Sequence, residues 1–354
     1  MAKFTDAFTA PAIAAIYNES ASNRIPYLGA GFFPTRSKSG LELKWIKTSK
    51  GLPVMLKPSA FDANAVIRSR QGLEVIDTEM AYFKEAMIVK EQDIQTYESI
   101  VEGSPLAREI LDRNFEDSLT LLEGARVVEE AMRMSLLANA NGHPSISISA
   151  EGADYTYDYD PNDTYHDNNY VALTGNSVWS NASSTPLDDV STAMDSVEAR
   201  TGSRPAYLLM SKATMNNLKK NNQIKSAILA QNATANIFMT DARVKEIFAN
   251  ELGVAILVYT KQYKDYSGNA KKFYPDGMVT LLPQGAIGST WHGVTPEEHR
   301  ADALNVQIVD GIAIAVNTSF DPVQTVTKAS EIVLPSFERM DETYMIKVET
   351  SLTY

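Results

Sequence analysis

Residues 104–141 constrain the fold more than any other stretch, because they read as one long helix in a chain that otherwise changes direction often. Apolar residues recur along it at steps of three and four: Leu111, Phe115, Leu119, Leu122, Ala125, Val128, Met132 and Leu136. Glu116, Glu123, Glu130 and Arg133 fall on the other side. Ser104 can accept a hydrogen bond from the first free amides, and Pro105 suits the first helical position, where no donor is needed. Gly142 and Pro144 close the far end. At a rise of 1.5 Å per residue such a rod spans roughly 55 Å, longer than one compact domain usually needs. An extended molecule is expected.

The chain has 354 residues, 44% of them apolar, enough for two domains and a sizeable core. Thirty-two basic residues against 44 acidic ones give a net charge of −12, which argues against a protein whose work is to clamp nucleic-acid phosphates. Passive contact with packaged DNA is compatible with it. Cysteine is absent, so disulfides, thiolate metal sites and a cysteine nucleophile are excluded, and a reducing compartment is the simplest reading. The longest unbroken apolar runs, such as 254–259, are far too short to cross a bilayer. Asp6 and Pro11 interrupt the apolar stretch near 10–17 and only Lys3 precedes it, so a short amphipathic helix using Ile13, Ile16 and Tyr17 is expected there rather than a signal peptide.

Taken in order, residues 1–44 read as an arm: a short helix, then a turn-rich piece in which Phe32 and Phe33 sit among breakers. Aromatics on an arm without a core need another surface. Residues 44–91 become extended, with Trp45, the run 54–56 and then the alternating Met80, Tyr82, Lys84, Ala86 and Ile88, separated by a polar stretch carrying Arg68 and Arg70. A two-stranded ribbon is marginal in water, so it should lie on a neighbouring domain or subunit. Arg68 and Arg70, two apart on an extended segment, share a face and could bind a partner's carboxylates. Beyond the long helix, residues 154–167 are acidic and aromatic; they suit either a calcium loop or a solvated hairpin, and lack the central glycine and terminal glutamate of an EF-hand. From 186 onward helices expected at 187–200, 212–220 and 241–252 alternate with strands at 206–210, 254–259 and 278–282, an α/β pattern. Its last strands are expected at 306–309 and 312–316, and a final alternating strand uses Tyr344, Ile346 and Val348.

Chemistry is sparse. Neither a phosphate-binding loop nor a dinucleotide fingerprint occurs at the strand ends. His143, His166, His292 and His299 show no metal-helix spacing and read as surface or capping residues. A Gly-x-Ser-x-Gly nucleophile motif is missing, and no cofactor is expected.

The arm, the extended loop with its run 65–72, the long helix, and the α/β segment with Lys261-Gln262-Tyr263 and the run 271–278 resemble, in order and spacing, the major capsid proteins of tailed bacteriophages, lambda-type capsid protein E family. The resemblance implies an α+β chain of the Hong Kong 97 fold: an N-arm over 1–44, an extended two-stranded E-loop over 45–90, a peripheral domain over 91–185 with the spine helix, an α/β axial domain over 186–318, and a return to the peripheral domain over 319–354. It implies a non-enzymatic major capsid protein of the virion that self-assembles in the host cytoplasm into pentamers and hexamers of an icosahedral head. Its partners would be a scaffolding protein, expected as a separate chain, a portal, a decoration protein, and double-stranded DNA held without sequence-specific contacts; no membrane is involved. Contacts between subunits would fall on Arg68, Arg70 and Trp45 of the E-loop and on Phe32 and Phe33 of the N-arm. Lys57 is a conceivable crosslink donor, although this type is generally locked by decoration proteins.

Other classes stay open at the level of sequence: an encapsulin-like compartment of the same fold, an α/β hydrolase or transferase with its site near His292 and His299 or the acidic tyrosine loop, and a calcium-dependent binding module.

Overall fold

A computed structural model describes residues 4–19, 27–47, 74–99, 104–150, 153–229, 239–300 and 305–354. The spine helix forms over Pro105–Leu137, about 50 Å at the standard rise. The Ser104 hydroxyl accepts from the Ala107 amide, and Pro105 takes the first turn as expected. The helix stops short of residue 141 because Ala138 leaves helical dihedrals, and the Asn139 side chain then holds the Asn141 amide and Ser145 in a turn.

Beneath the spine lies a six-stranded sheet in the order Thr35–Ser37, Ser289–Gly293, Val323–Ser336, Ile312–Phe320, Asn305–Val309, with Ala81–Val89 on the remaining edge of Val323–Ser336. That central 14-residue strand was not legible in the sequence. Its alternation is blurred by Thr, Lys, Ser and Glu, and Pro335 speaks against a strand interior. The proline is tolerated near the strand's end, where it stands opposite Thr290. Along one edge the strand pairs with Ala81–Val89 from Thr325 to Val333. The other edge is shared end to end: Ile312–Phe320 covers it up to Ser330, and Ser289–Gly293 begins at Ile332.

A second sheet, in the order Tyr170–Ala172, Tyr344–Lys347, Met278–Leu282, Tyr207–Ser211, Ala255–Tyr259, is flanked by the helices Pro186–Thr201, Lys212–Lys220, Asn222–Leu229 and Asp241–Leu252. The two longest of these helices end at left-handed Gly202 and Gly253. The strand pairing corrects the expected domain bounds twice. Asn305–Val309 and Ile312–Phe320 belong to the sheet under the spine rather than to the α/β unit, and Tyr344–Lys347 is a central strand of the α/β unit rather than part of the return.

Three apolar clusters hold these parts. One fills the α/β unit around Met194, Leu208, Phe248 and Val279. A second, around Phe33, Leu136, Phe273 and Phe337, joins the spine's C-terminal half to both sheets. The third contains the N-terminal helices Phe4–Ala7 and Ala10–Glu19, whose Phe4, Phe8 and Ile13 pack with Leu121 and Leu122 of the spine and with Ile312, Ile314 and Val316. The first residues are thus core of this chain, not an arm without one. No helix among the described residues is long and apolar enough to cross a membrane.

Candidate functional site

Two places stand apart from ordinary packing: a ribbon with the groove at its root, and a buried polar cluster under the spine. In the ribbon Glu42–Lys47 pairs antiparallel with Glu74–Glu79, from Glu42 opposite Glu79 to Lys47 opposite Glu74. Among the described residues these strands pair only with each other. The root is fastened by the Met80 amide on the Leu41 carbonyl at 2.9 Å and by the Tyr157 hydroxyl on the Glu79 carbonyl at 2.9 Å. Beside it opens a groove of about 450 Å³ lined by Leu41, Met80, Tyr82, Tyr155, Tyr157 and Pro296 among others. Tyrosines beside short apolar side chains offer large contact area with few rotamers to freeze, a composition suited to meeting another protein surface.

Next to the groove, the Glu297 carboxylate gathers the Tyr82 hydroxyl at 3.2 Å, the Ser330 hydroxyl at 2.9 Å and the Lys328 ammonium. Burial alone would raise this carboxyl, but Lys328 and Ser330 hold it below its ordinary value. The strand that continues the ribbon is therefore clamped to the sheet by a charged network.

The second place lies where the spine crosses the sheet. Glu129 and Glu130 are fully buried there with Arg133. Arg133 donates from Nη2 to Glu129 Oε2 at 2.6 Å and from Nε to Thr290 Oγ1 at 2.8 Å, and Thr290 donates to the Phe33 carbonyl at 3.0 Å. Glu130 accepts from the Gly29 amide at 3.0 Å and from the Tyr259 hydroxyl at 2.7 Å. One helix turn therefore ties the N-terminal segment, the sheet below and the edge strand of the α/β sheet to the spine. Burial and the adjacent Glu130 push the Tyr259 hydroxyl well above its ordinary value, so it stays a donor. The sequence reading put Glu130 and Arg133 on the side opposite the apolar stripe, and in the fold that side is buried here as well. Seven-residue spacing drifts by about 20° per repeat on a straight helix, and both flanks of the spine's last turns are covered.

His292, on the strand Ser289–Gly293, and Glu331, on the central strand, complete the cluster. His292 Nε2 stands 3.9 Å from Glu129 Oε1. Burial lowers the His292 imidazole below its ordinary value, against the pull of Glu129, and burial together with Glu129 raises the Glu331 carboxyl well above its own.

The residues expected at subunit contacts fare differently. Phe32, Phe33 and Trp45 are buried within the one chain: Phe33 packs on Phe337, Phe32 on Tyr207 and Trp45 on Tyr159, with ring centroids 5.6, 5.9 and 5.7 Å apart. Their rings are part of this chain's core. Arg68, Arg70 and Lys57 lie outside the described residues. The acidic tyrosine stretch forms a hairpin strand, Ala153–Asp158, and the helix Thr164–Asn169, and spends Asp160 on the Tyr165 and His166 amides. Among the described residues it assembles no metal-ligand group. His299 falls in a short turn at Glu298–Arg300, apart from His292 in the sheet. The buried cluster was missed in the sequence, and its one trace there is a pair of adjacent glutamates followed by an arginine on an apolar helix.

A family model, phage major capsid protein E, matches residues 9–348. Among solved structures, a phage-related protein from Bordetella bronchiseptica RB50 shares 13% identity at a TM-score of 0.58, with 96% of this chain and 97% of that chain covered. A protein described as a prophage capsid protein from E. coli CFT073 also shares 13% identity at a TM-score of 0.58, with 97% of this chain and 99% of that chain covered. At that identity the two structures speak for the fold. A search of curated proteins finds no match.

Proposed function

The chain belongs to the phage major capsid protein E family and is a shell protein of the phage head with the Hong Kong 97 fold; on that premise we propose how it builds the shell. Copies associate as pentamers and hexamers of an icosahedral head around double-stranded DNA that is enclosed without being read. The observation that supports this most directly is the ribbon Glu42–Lys47 with Glu74–Glu79, which pairs with no other strand among the described residues. Two strands alone are marginal in water; this chain's own core covers the ribbon at Leu43 and Trp45, and a neighbouring copy covers the rest in a closed shell. The tyrosine-lined groove at its root is the matching surface on each copy. The loop between the two strands, with Arg68 and Arg70, overlies that neighbour and meets its carboxylates. A net charge of −12 suits a container whose wall should not hold DNA during filling. A scaffolding protein, a portal and a decoration protein complete the assembly, which takes place in the host cytoplasm and yields the virion.

Light scattering with negative-stain images of the purified full chain, alone and with a scaffold encoded beside it, tests the reading. Closed particles, or rings of five and six, are expected. A monodisperse monomer under both conditions overturns it.

A further inference from the structure

Under the spine, three buried carboxyl groups, Glu129, Glu130 and Glu331, lie among two guanidiniums: Arg133 pairs with Glu129 and stands near Glu130, and Arg126 reaches Glu129 while also pairing with the exposed Asp310. Water does not reach the centre of the cluster: Glu129 is 0% exposed, Glu331 1% and His292 2%. An ionised carboxylate in such a place is costly unless it is paired, hydrogen-bonded, protonated or bound to a metal.

Glu331 has none of the protein partners that would make its burial tolerable: neither carboxyl oxygen has a hydrogen-bond partner. Neither ring nitrogen of His292 has a side-chain hydrogen-bond partner, and only the Gly311 backbone lies against the ring. The backbone explains why the two meet. Glu331 is the residue between the last one paired with Ile312–Phe320, Ser330, and the first paired with Ser289–Gly293, Ile332. The end of one partner strand brings His292, and the start of the other brings Gly311, to that junction. Gly311 is required: at φ +89° it takes a conformation other residues rarely adopt, and a Cβ there would lie 2.4 Å from His292 Nδ1. The ring is thus wedged with Nδ1 against the Gly311 backbone and Nε2 toward Glu129. One oxygen of Glu129, one nitrogen of His292 and one oxygen of Glu331 all lie within 4.8 Å of one another.

We propose that Glu129, His292 and Glu331 form a buried site for one divalent transition-metal cation of the zinc and manganese class, which pins the spine helix to the junction of the sheet beneath it. Two carboxylate oxygens and one imidazole nitrogen are the donor set of such ions, whereas calcium and magnesium prefer oxygen alone. Metal–donor bonds of about 2.0–2.2 Å hold donors roughly 3–3.5 Å apart, so closure asks for side-chain shifts of about an ångström. The ion gives the unpartnered Glu331 carboxylate a counter-charge in a place where water does not reach.

The full chain, stripped with a chelator and dialysed, is given Zn²⁺ or Mn²⁺ alone, and bound metal per chain and the unfolding temperature are read. One ion per chain and an unfolding temperature raised by several degrees are expected, since a ligand that binds only the folded state stabilises it by mass action. Glu331→Gln and His292→Gln should each lose both effects. Glu331→Gln should remain folded without metal, because an amide carries no charge to bury, while Glu297→Gln, outside the site, should keep the full metal response. Sub-stoichiometric metal on the native chain, an equal response in Glu331→Gln, or an equal response to Mg²⁺ and Ca²⁺ would each overturn the proposal. In the first two cases the cluster is a proton-neutralised packing device, and in the third the imidazole is not a ligand. None of these readouts depends on shell assembly.

Discussion

At the scale of single residues, the cluster under the spine leaves little room for change. A Cβ on Gly29 would lie 2.5 Å from Glu130 Oε2 and 2.9 Å from Arg133 Cδ, both held by the bonds that fasten the N-terminal segment. Gly29→Ala should therefore cost about 1–3 kcal/mol of stability, as overpacking a filled site does, and urea unfolding would show it as a lower midpoint at an unchanged slope. Glu297 gives a pH signature. Its folded carboxyl titrates below the ordinary value, so its contribution to stability is present above that ordinary value and lost as pH falls through the folded one. The unfolding temperature of the native chain should fall more steeply on acidification than that of Glu297→Gln, and parallel curves would show that the Lys328 and Ser330 contacts contribute nothing net.

At the scale of elements, the spine is a helix whose ends are set locally and whose faces are set by neighbours. Ser104→Ala removes the hydroxyl that accepts from the Ala107 amide and should cost about 1 kcal/mol, read as a drop in unfolding temperature. Its middle, where Leu121 and Leu122 meet Phe8 and Ile314, is packed much more tightly. Leu122→Ala should cost about 2–5 kcal/mol, because a fully buried leucine leaves a cavity among aromatic and branched side chains that cannot collapse into it. Denaturant unfolding of the two variants should rank them in that order. The same contrast explains what was legible here. Ser104, Pro105 and the three-four spacing of apolar residues fix the helix from its own sequence. Burial of Glu129, Glu130 and Arg133 depends on strands far along the chain, Ser289–Gly293 and Val323–Ser336, and no local pattern announces it.

At the scale of the whole molecule, folding and assembly separate along the ribbon. Its strands share no ladder with either sheet among the described residues, and Leu43 and Trp45 of the first strand are buried in the chain. Deleting residues 49–77 should leave a folded chain that no longer forms shells; normal particles in negative stain from that deletion would remove the ribbon from the assembly mechanism. Replacing Arg68 and Arg70 together by Ala should weaken assembly more at low salt than at high salt, since exposed ion pairs are screened beyond about 10 Å at 0.1 M. A light-scattering difference independent of salt would mean that the contact is not ionic.

The sequence by itself determined the elements whose cause is local: the spine helix, the helix Asp241–Leu252 with its Thr240 cap and Gly253 stop, the strand Met278–Leu282, and through their order and spacing the family. Only the tertiary structure decided which sheet each late strand joins, because Asn305–Val309 and Tyr344–Lys347 have patterns that either sheet could bury. It also decided that Phe32, Phe33 and Trp45 fill their own chain's core, since an aromatic among turn residues records its need for burial but not the surface that meets it. His292 and Glu331 face each other for the same kind of reason: two strands end at one junction of a third, and that proximity exists only once all three are paired.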